Sequence, residues 1–498
     1  MIYPDPHRFL GWLIETEEGY SRTGAIQNCA QGSPNKVTEE FMQDVENIID
    51  AFATKAVRYA KEVTERGVFP SQEAIDRLAV LDVPLPDDPL DPVQVLSLLD
   101  EVGAPATTAS SGSRYFGFVI GGSLPAALGA NLLAAVWDQN AVLAVSSPIA
   151  AAIEAVASKW LLSVLGLPHD SGVGFVTGAT MANFTGLAAA RRSVLLKAGW
   201  DVEQEGLFGA PPITVVVGEE VHASLVKALG MLGLGRERVL RVGVDQQGRM
   251  RADRLPAIQG PAIVCLQAGN VNTGAFDPVA EICEKVGQAD NVWVHVDGAF
   301  GLWAAASPGR AHLTRGVDQA DSWATDAHKW LNVPYDSGIV VVRDPRQLVG
   351  AMSTSAAYLM ESEDRQPSHL VPEMSRRVRG FEVWAALYSL GRQGLAGLIE
   401  MNCRQAARFA EKLSSAGYAV LNEVVLNQVM VSFGDAAVTE RVIQRIQAEG
   451  TCWCGGTVWQ GKKAMRISVS SWRTTDADVD MSLAAMLRIA AEERHGKP

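Results

Sequence analysis

The chain has 498 residues, 48% of them hydrophobic, and a formal net charge of −13. That length supports a large buried core, with more than one domain or one domain with appendages. The acidic balance excludes a general affinity for nucleic acid, because no basic stripe is present to neutralise phosphates, and leaves small molecules or a second copy of the chain as partners.

The stretch MIYPDPHRFLGWLIETEEGY (1–20) places acidic residues where a signal peptide needs an apolar run, so a cytoplasmic protein is expected. Apolar positions at helical spacing over 38–66 predict a helix, followed by DVPLPDDPLDP (82–92), which reads as a linker or an arm. Apolar stretches such as LPAALGANLLAAVW (124–137) are too short for a bilayer, so no membrane association is expected.

From about residue 150, short β-branched runs alternate with Ala- and Leu-rich amphipathic segments. The runs are 172–178, 213–218, 238–244, 262–269, 292–298 and 338–344. Nearly continuous apolar strands separated by helices predict an α/β fold with a mostly parallel sheet buried on both faces. The ligand site of such a sheet lies at the carboxyl ends of its strands. Beyond about 385 the rhythm becomes helix, strand, helix, the pattern of a smaller α+β domain. The expected division is an N-terminal helical segment (1–105), a large domain (106–385) and a small C-terminal domain (386–498). Of the six cysteines only Cys452 and Cys454 are close together, at a spacing unlike a zinc knuckle, so reduced core thiols and no metal are expected.

The polar residues that follow the strands collect at one edge. TGATMANFTGLAAARR (177–192) is a Gly/Thr turn opening into an Ala-rich helix. Its first N–H groups, with the Thr180 hydroxyl, suit a phosphate, although a simple N-capped helix reads the same way. His222 follows the second strand in EEVHASLVKA and Asp297 the fifth in HVDGAFG. Each alone reads as an ordinary surface, core or cap residue. Lys329, in ATDAHKWLNVPYDSG (324–338), stands between His328 and Trp330. Lysine is rarely buried without a partner, so it is either a snorkelling stem or an amine kept for chemistry.

Together a phosphate cradle, an imidazole, a lone carboxylate and a lysine meet the needs of pyridoxal 5′-phosphate. The amine condenses with the cofactor aldehyde. The carboxylate keeps the pyridine nitrogen protonated, so that the ring accepts electrons from a broken Cα bond. Such a charge-assisted hydrogen bond contributes about 1.5–3 kcal/mol, which favours the protonated ring by roughly one to two powers of ten. Burial near a cationic ring also favours the neutral amine that condensation needs.

The sequence also resembles the group II pyridoxal-phosphate-dependent amino-acid decarboxylases, which include aromatic-L-amino-acid and glutamate decarboxylases. SRYFGFVIGGSLPA (113–126), SSPIAAAIEAVASKWLLSVLGLP (146–168), TGATMANFTGLAAAR, VHASLVKA, AGNVNTGAFDP (268–278), HVDGAFGLW, DAHKWLNVPYDSG and SRRVRGFEVWAAL (375–387) carry the resemblance in order along the chain. It implies fold type I, with a mostly parallel seven-stranded sheet sandwiched by helices, and a homodimer whose site lies near the subunit interface. It further implies that Lys329 joins the cofactor, Asp297 pairs with the pyridine nitrogen and His222 stacks on the ring. Ala299 would lie under the other face, Gly178, Ala179 and Thr180 at the phosphate, and Asn270, Asp326 and His328 would be further contacts.

Two departures stand out. Met181 takes the place of an acidic residue frequent in the family. The segment ESEDRQPSHLVPEM (361–374) carries His369 and no tyrosine, where the resembling decarboxylases use a loop tyrosine to protonate the carbanion left by CO₂; Tyr358 lies earlier. The expected reaction is loss of the α-carboxylate to give an amine, with His369 or water as proton donor. The alternatives are diversion by oxygen to an aldehyde, aldol-type cleavage of a β-hydroxy amino acid, and a catalytically silent cofactor-binding partner protein. Which bond breaks depends on which one is held perpendicular to the ring. Tyr115, Phe116 and Phe118 either line a pocket for an aromatic or bulky apolar side chain or are core aromatics. Arg376, Arg377 and Arg379 are either ion-pair formers or a carboxylate clamp.

Overall fold

A computed structural model describes residues 34–287, 289–354 and 366–494, with 34–44 as backbone only. The chain forms two units, one from Met1–Ala60 and Asp76–Pro105, the other from Lys61–Ile75 and Ala106–Pro498. The first helices are α1 (Pro34–Glu62), α2 (Gln72–Asp76) and α3 (Pro92–Ala106). Within the first unit Asp100 accepts from Arg58 at 2.5 Å and pairs with Lys55 at 3.7 Å. The Pro-rich stretch predicted as a linker or arm is coil.

Beyond Ala106 the second unit continues with α4 (Pro125–Trp137) and α5 (Pro148–Leu165). Contrary to the expectation that the apolar stretches are too short, α5 has the length and hydropathy of a membrane-crossing helix. Its apolar face lies in the protein core instead, through Ala157, Leu161 and Leu165. Its one buried acid, Glu154, receives both terminal nitrogens of Arg376, at 2.7 and 2.8 Å.

The main sheet and its helices follow as β1 (Gly172–Val176), α6 (Ala179–Lys197), α7 (Val202–Glu205), β2 (Thr214–Gly218), α8 (Ala223–Met231), β3 (Leu240–Val242), β4 (Ala262–Gln267), α9 (Val279–Val286), β5 (Val292–Asp297), β6 (Ser322–Asp326), β7 (Gly338–Val342) and α10 (Pro345–Met352). The order is β1-β7-β6-β5-β4-β2-β3, with β7 antiparallel to both neighbours and the remaining pairs parallel. Each predicted run contains a strand, and β6 is the strand-like stretch before Lys329. Alternate residues feed two cores, because successive side chains in a strand point to opposite faces. Val294 and Val296 of β5 enter the core beneath α5, while Trp293 enters the core beneath α6. Burying each such aliphatic side chain contributes about 1.5–3 kcal/mol.

The chain ends with α11 (Gly380–Ser415), β8 (Ala419–Val420), β9 (Gln428–Ser432), α12 (Ala436–Glu449), β10 (Gly455–Trp459), β11 (Lys462–Ser468) and α13 (Asp476–Arg494). The second sheet is antiparallel, in the order β10-β11-β9-β8. Helix α11 runs without a break through residue 385, kinking at Gly391, where φ is 59°. Residues 115 and 116 join the C-terminal part: the Phe116 N–H donates to the Trp453 carbonyl at 2.8 Å, and the Ser468 N–H to the Phe116 carbonyl at 2.9 Å.

Candidate active site

Asp297 closes β5 and Asp326 closes the adjacent parallel strand β6. Both are nearly buried. The Asp326 N–H donates to the Ala299 carbonyl at 2.9 Å, which fixes the two strand ends against each other. Three residues beyond Asp326 the turn presents Lys329, whose Nζ lies 3.0 Å from Asp326 Oδ2. The other oxygen, Oδ1, accepts the Ala179 N–H at 2.6 Å, at the first turn of α6. Asp326 therefore joins the lysine to the helix start, where orphan N–H groups favour negative charge.

His328 accepts the Ser337 N–H on Nδ1 at 3.0 Å. Its proton thus sits on Nε2, 3.4 Å from Asp326 Oδ1. Burial lowers its pKa, outweighing the opposing pull of Asp326. His222 caps α8, its Nδ1 accepting the Ser224 N–H at 3.2 Å and lying 2.7 Å from the Ser224 hydroxyl. Burial lowers its pKa too; Asp297 opposes the shift, and Lys329 and Arg466 add to it. Asp297, Asp326, Lys329 and Arg466 thus all act on one imidazole. Arg466, on β11, donates to the Val271 carbonyl at 3.2 Å and was not anticipated from the sequence, where it reads as one more basic residue of a small-domain strand.

Asp297 Oδ1 accepts the Ala299 N–H at 3.2 Å and Oδ2 accepts from Asn183 Nδ2 at 3.1 Å. Behind Asn183 lies a fully buried His295, its Nε2 2.8 Å from Asn183 Oδ1. Neither residue was anticipated. The available signal was the period of VWVHVD, which puts Trp293, His295 and Asp297 on one face of a buried strand.

A phosphate-bearing cofactor fits this edge. At Gly178 a methyl group would lie 3.1 Å from His328 Cε1 and 3.3 Å from Asp326 Oδ1, so a side chain there would crowd the cradle. Strand β7 meets it closely, since a Cβ on Gly338 would lie 2.4 Å from Gly178 Cα. Next to Gly338, the buried Ser337 Oγ has no hydrogen-bond partner among the described residues. An orphaned donor beside the start of α6 suits a phosphate oxygen.

On the other side Tyr115 and Phe118 both stack on Trp453, with ring centroids 5.1 and 5.6 Å apart. Phe118 and Val119 adopt left-handed φ values of 52° and 63°, a sharp turn that leaves Phe118 exposed and sends Val119 into the core. For Phe116 the core alternative holds. Adjacent residues on an extended segment face opposite ways, and Phe116 lies in the C-terminal core, edge-on to Phe409.

Asn270 shapes its own turn: its Oδ1 accepts the N–H groups of Asn272 and Thr273, and one Nδ2 hydrogen goes to Gln267. His369 sits in the turn Pro367–Leu370, which packs on β1 and α10 at the sheet edge. Tyr358 and residues 361–365 lie outside the described residues. Of the arginines, Arg376 is held by Glu154, Arg377 by Glu382 and Arg379 by Asp336, which makes all three ion-pair formers.

Tyr335 was also missed. Its ring lies 4.3 Å from that of His328, and burial together with the Asp326 carboxylate pushes its phenol up to about 12, so it keeps its proton at neutral pH. In sequence it is only a tyrosine after a proline.

Residues 76–433 match the pyridoxal-dependent decarboxylase conserved domain. An aromatic-L-amino-acid decarboxylase of Bacillus atrophaeus is 26% identical, over 82% of this chain and 87% of its own. An L-2,4-diaminobutyrate decarboxylase of Rhizobium meliloti is 28% identical, over 73% and 74%. Among solved structures, the Oryza sativa TDC with PLP and tryptamine superposes with a TM-score of 0.84 at 21% identity, covering 90% of this chain and 98% of that one. This last likeness establishes the fold, which is that of fold type I.

Proposed function

Because the chain belongs to the pyridoxal-dependent decarboxylase family, we propose that it converts an aromatic or bulky apolar L-amino acid to the corresponding amine and CO₂. It is a carboxy-lyase, and its cofactor, pyridoxal 5′-phosphate, supplies the electron sink for breaking a bond at Cα. Lys329 provides the amine that holds the cofactor, and Asp297 receives the pyridine nitrogen. His222 covers one ring face, and Ala299, small and tied to Asp297, leaves room at the other. Gly178, Ala179 and Thr180 at the start of α6, with the Ser337 hydroxyl, hold the phosphate. His328 and Asp326 orient the lysine between them.

Tyr335, its ring beside His328 and its phenol protonated at neutral pH, is the proton donor this reading assigns. The Tyr115–Trp453–Phe118 stack supports the choice of an aromatic side chain, as do the relatives that act on aromatic amino acids. Leu133, Val136 and Val145, on α4 and just before α5, are exposed in the single chain. A homodimer would cover these apolar side chains.

The observation that carries this reading is that Asp297, at the end of β5, and Lys329, in the turn after the adjacent β6, both act on His222. The absence of a tyrosine from 361–374 favours one rival outcome, in which oxygen intervenes and aldehyde, ammonia and hydrogen peroxide appear. The test is a panel of amino acids given to the purified holoenzyme, with CO₂, amine, aldehyde and peroxide measured. Amine equal to CO₂ from aromatic substrates supports the proposal. Aldehyde with peroxide supports the rival, preference for diaminobutyrate overturns the substrate class, and bound cofactor without turnover identifies a silent binding protein.

A further inference from the structure

We infer that Asn183, His295 and Ser322 are positioning residues that hold Asp297 as an anion through a one-way chain of neutral hydrogen bonds, keeping its charge for the pyridine nitrogen of the cofactor. The inference rests on the role given to Asp297 above.

The direction of every bond is fixed by what its ends can do. The Trp293 indole only donates, and its Nε1 lies 2.8 Å from Ser322 Oγ, so the hydroxyl oxygen accepts there. At the other end a carboxylate only accepts, so Asn183 presents Nδ2 to Asp297 Oδ2 and turns Oδ1 toward His295. That oxygen needs a donor, which places the proton of His295 on Nε2. Burial depresses the His295 pKa to about 3, so the ring carries one proton at neutral pH and Nδ1 must accept. Ser322 Oγ, 2.7 Å away, supplies its hydroxyl hydrogen. Trp293, Ser322, His295 and Asn183 thus donate in sequence toward Asp297.

The strands make this register. His295 and Ser322 are paired residues of β5 and β6. Helix α6 reaches His295 because Gly186 has no side chain, a Cβ there lying 3.1 Å from His295 Cε1. Asn183, His295 and Ser322 are fully buried. Among the described residues no lysine, arginine or histidine forms an ion pair with Asp297. A buried carboxylate held by neutral donors is stabilised without being neutralised, and bonds aligned in one sense polarise each other.

The test uses holoenzyme reconstituted with pyridoxal phosphate carrying ¹⁵N in the ring, whose chemical shift reports protonation of that nitrogen. In the wild type the nitrogen is protonated at neutral pH. His295→Leu is expected to lower the nitrogen's proton affinity and to weaken cofactor binding to the apoprotein, each by about tenfold. His295→Gln, whose amide can again donate to Asn183, restores most of both. Ser322→Ala shifts the signal the same way by less, and because it removes a single hydroxyl it decides the matter should His295→Leu not fold. If both variants leave the ¹⁵N signal unchanged while Asp297→Asn abolishes protonation, the chain is only a structural tie and the inference is overturned. If Asp297→Asn itself has no effect, the role of Asp297 falls with it.

Discussion

Asp297 and Asp326 end neighbouring strands of one sheet, both nearly buried, yet they are held in opposite ways. Asp326 faces a lysine at 3.0 Å and a histidine at 3.4 Å, and it caps a helix start. Among the described residues Asp297 receives hydrogen bonds only from an asparagine amide and a backbone N–H. Burying a carboxylate is costly, and both solutions meet that cost, one with a lysine and a neutral histidine and one with neutral donors alone. The difference is in what remains afterwards. The charge of Asp326 is spent inside the protein, fixing Lys329, whereas that of Asp297 is available to whatever binds.

The largest break in this contrast comes from removing the cation of the first aspartate. Lys329→Ala is expected to reduce product formation at least a thousandfold, about 4 kcal/mol of barrier. Borohydride should then no longer fix the cofactor to a tryptic peptide. Neutralising the first aspartate is milder: Asp326→Asn keeps an acceptor for the Ala179 N–H but leaves Lys329 without its ion pair, and cofactor loss on dialysis should speed up about tenfold.

The second aspartate is probed by acid. The folded pKa of His295, about 3, lies below the ordinary histidine value. The unfolded chain therefore takes up a proton first as pH falls, and the stability owed to neutral His295 is intact above about pH 6.5 and lost between there and about 3. Denaturant titrations across that window should show a flatter decline for His295→Gln than for the wild type, by an amount on the order of a few kcal/mol at pH 4. The smallest effect belongs to Gly186→Ala. A gain in helix propensity of about 1 kcal/mol opposes the crowding of His295, so the melting temperature should move by less than about 3 °C, while cofactor affinity falls roughly threefold.

The strands were legible because buried parallel strands are apolar without interruption, and the turn residues after them could be collected into one edge. Lys329, Asp297 and His222 were collected this way, Asp297 at a strand end, His222 at a helix start and Lys329 in the turn after β6. The reversal of β7 was not legible, since GIVVV has the same apolar face read in either direction. His295 was hidden for a related reason: in VWVHVD it looks like a core residue, and only its register with Ser322 makes it a link. Phe116 was grouped with its neighbours because a run of aromatics does not show which way each ring turns. Asn270 shows the same ambiguity, because a polar residue after a strand can be spent on its own backbone as well as on a ligand. Tyr335 needed the fold, which brings it to His328 across a turn.

The near-contact of Gly178 with Gly338 bears on how such a protein can change over generations. A methyl group on Gly338 would press on the Gly178 backbone, and one on Gly178 would press on His328 and Asp326. A side chain at Gly338 needs the Gly178 backbone itself to move, whereas one at Gly178 needs only a shift of a few tenths of an ångström in His328 and Asp326, so the β7 side of this contact is the less forgiving of the two.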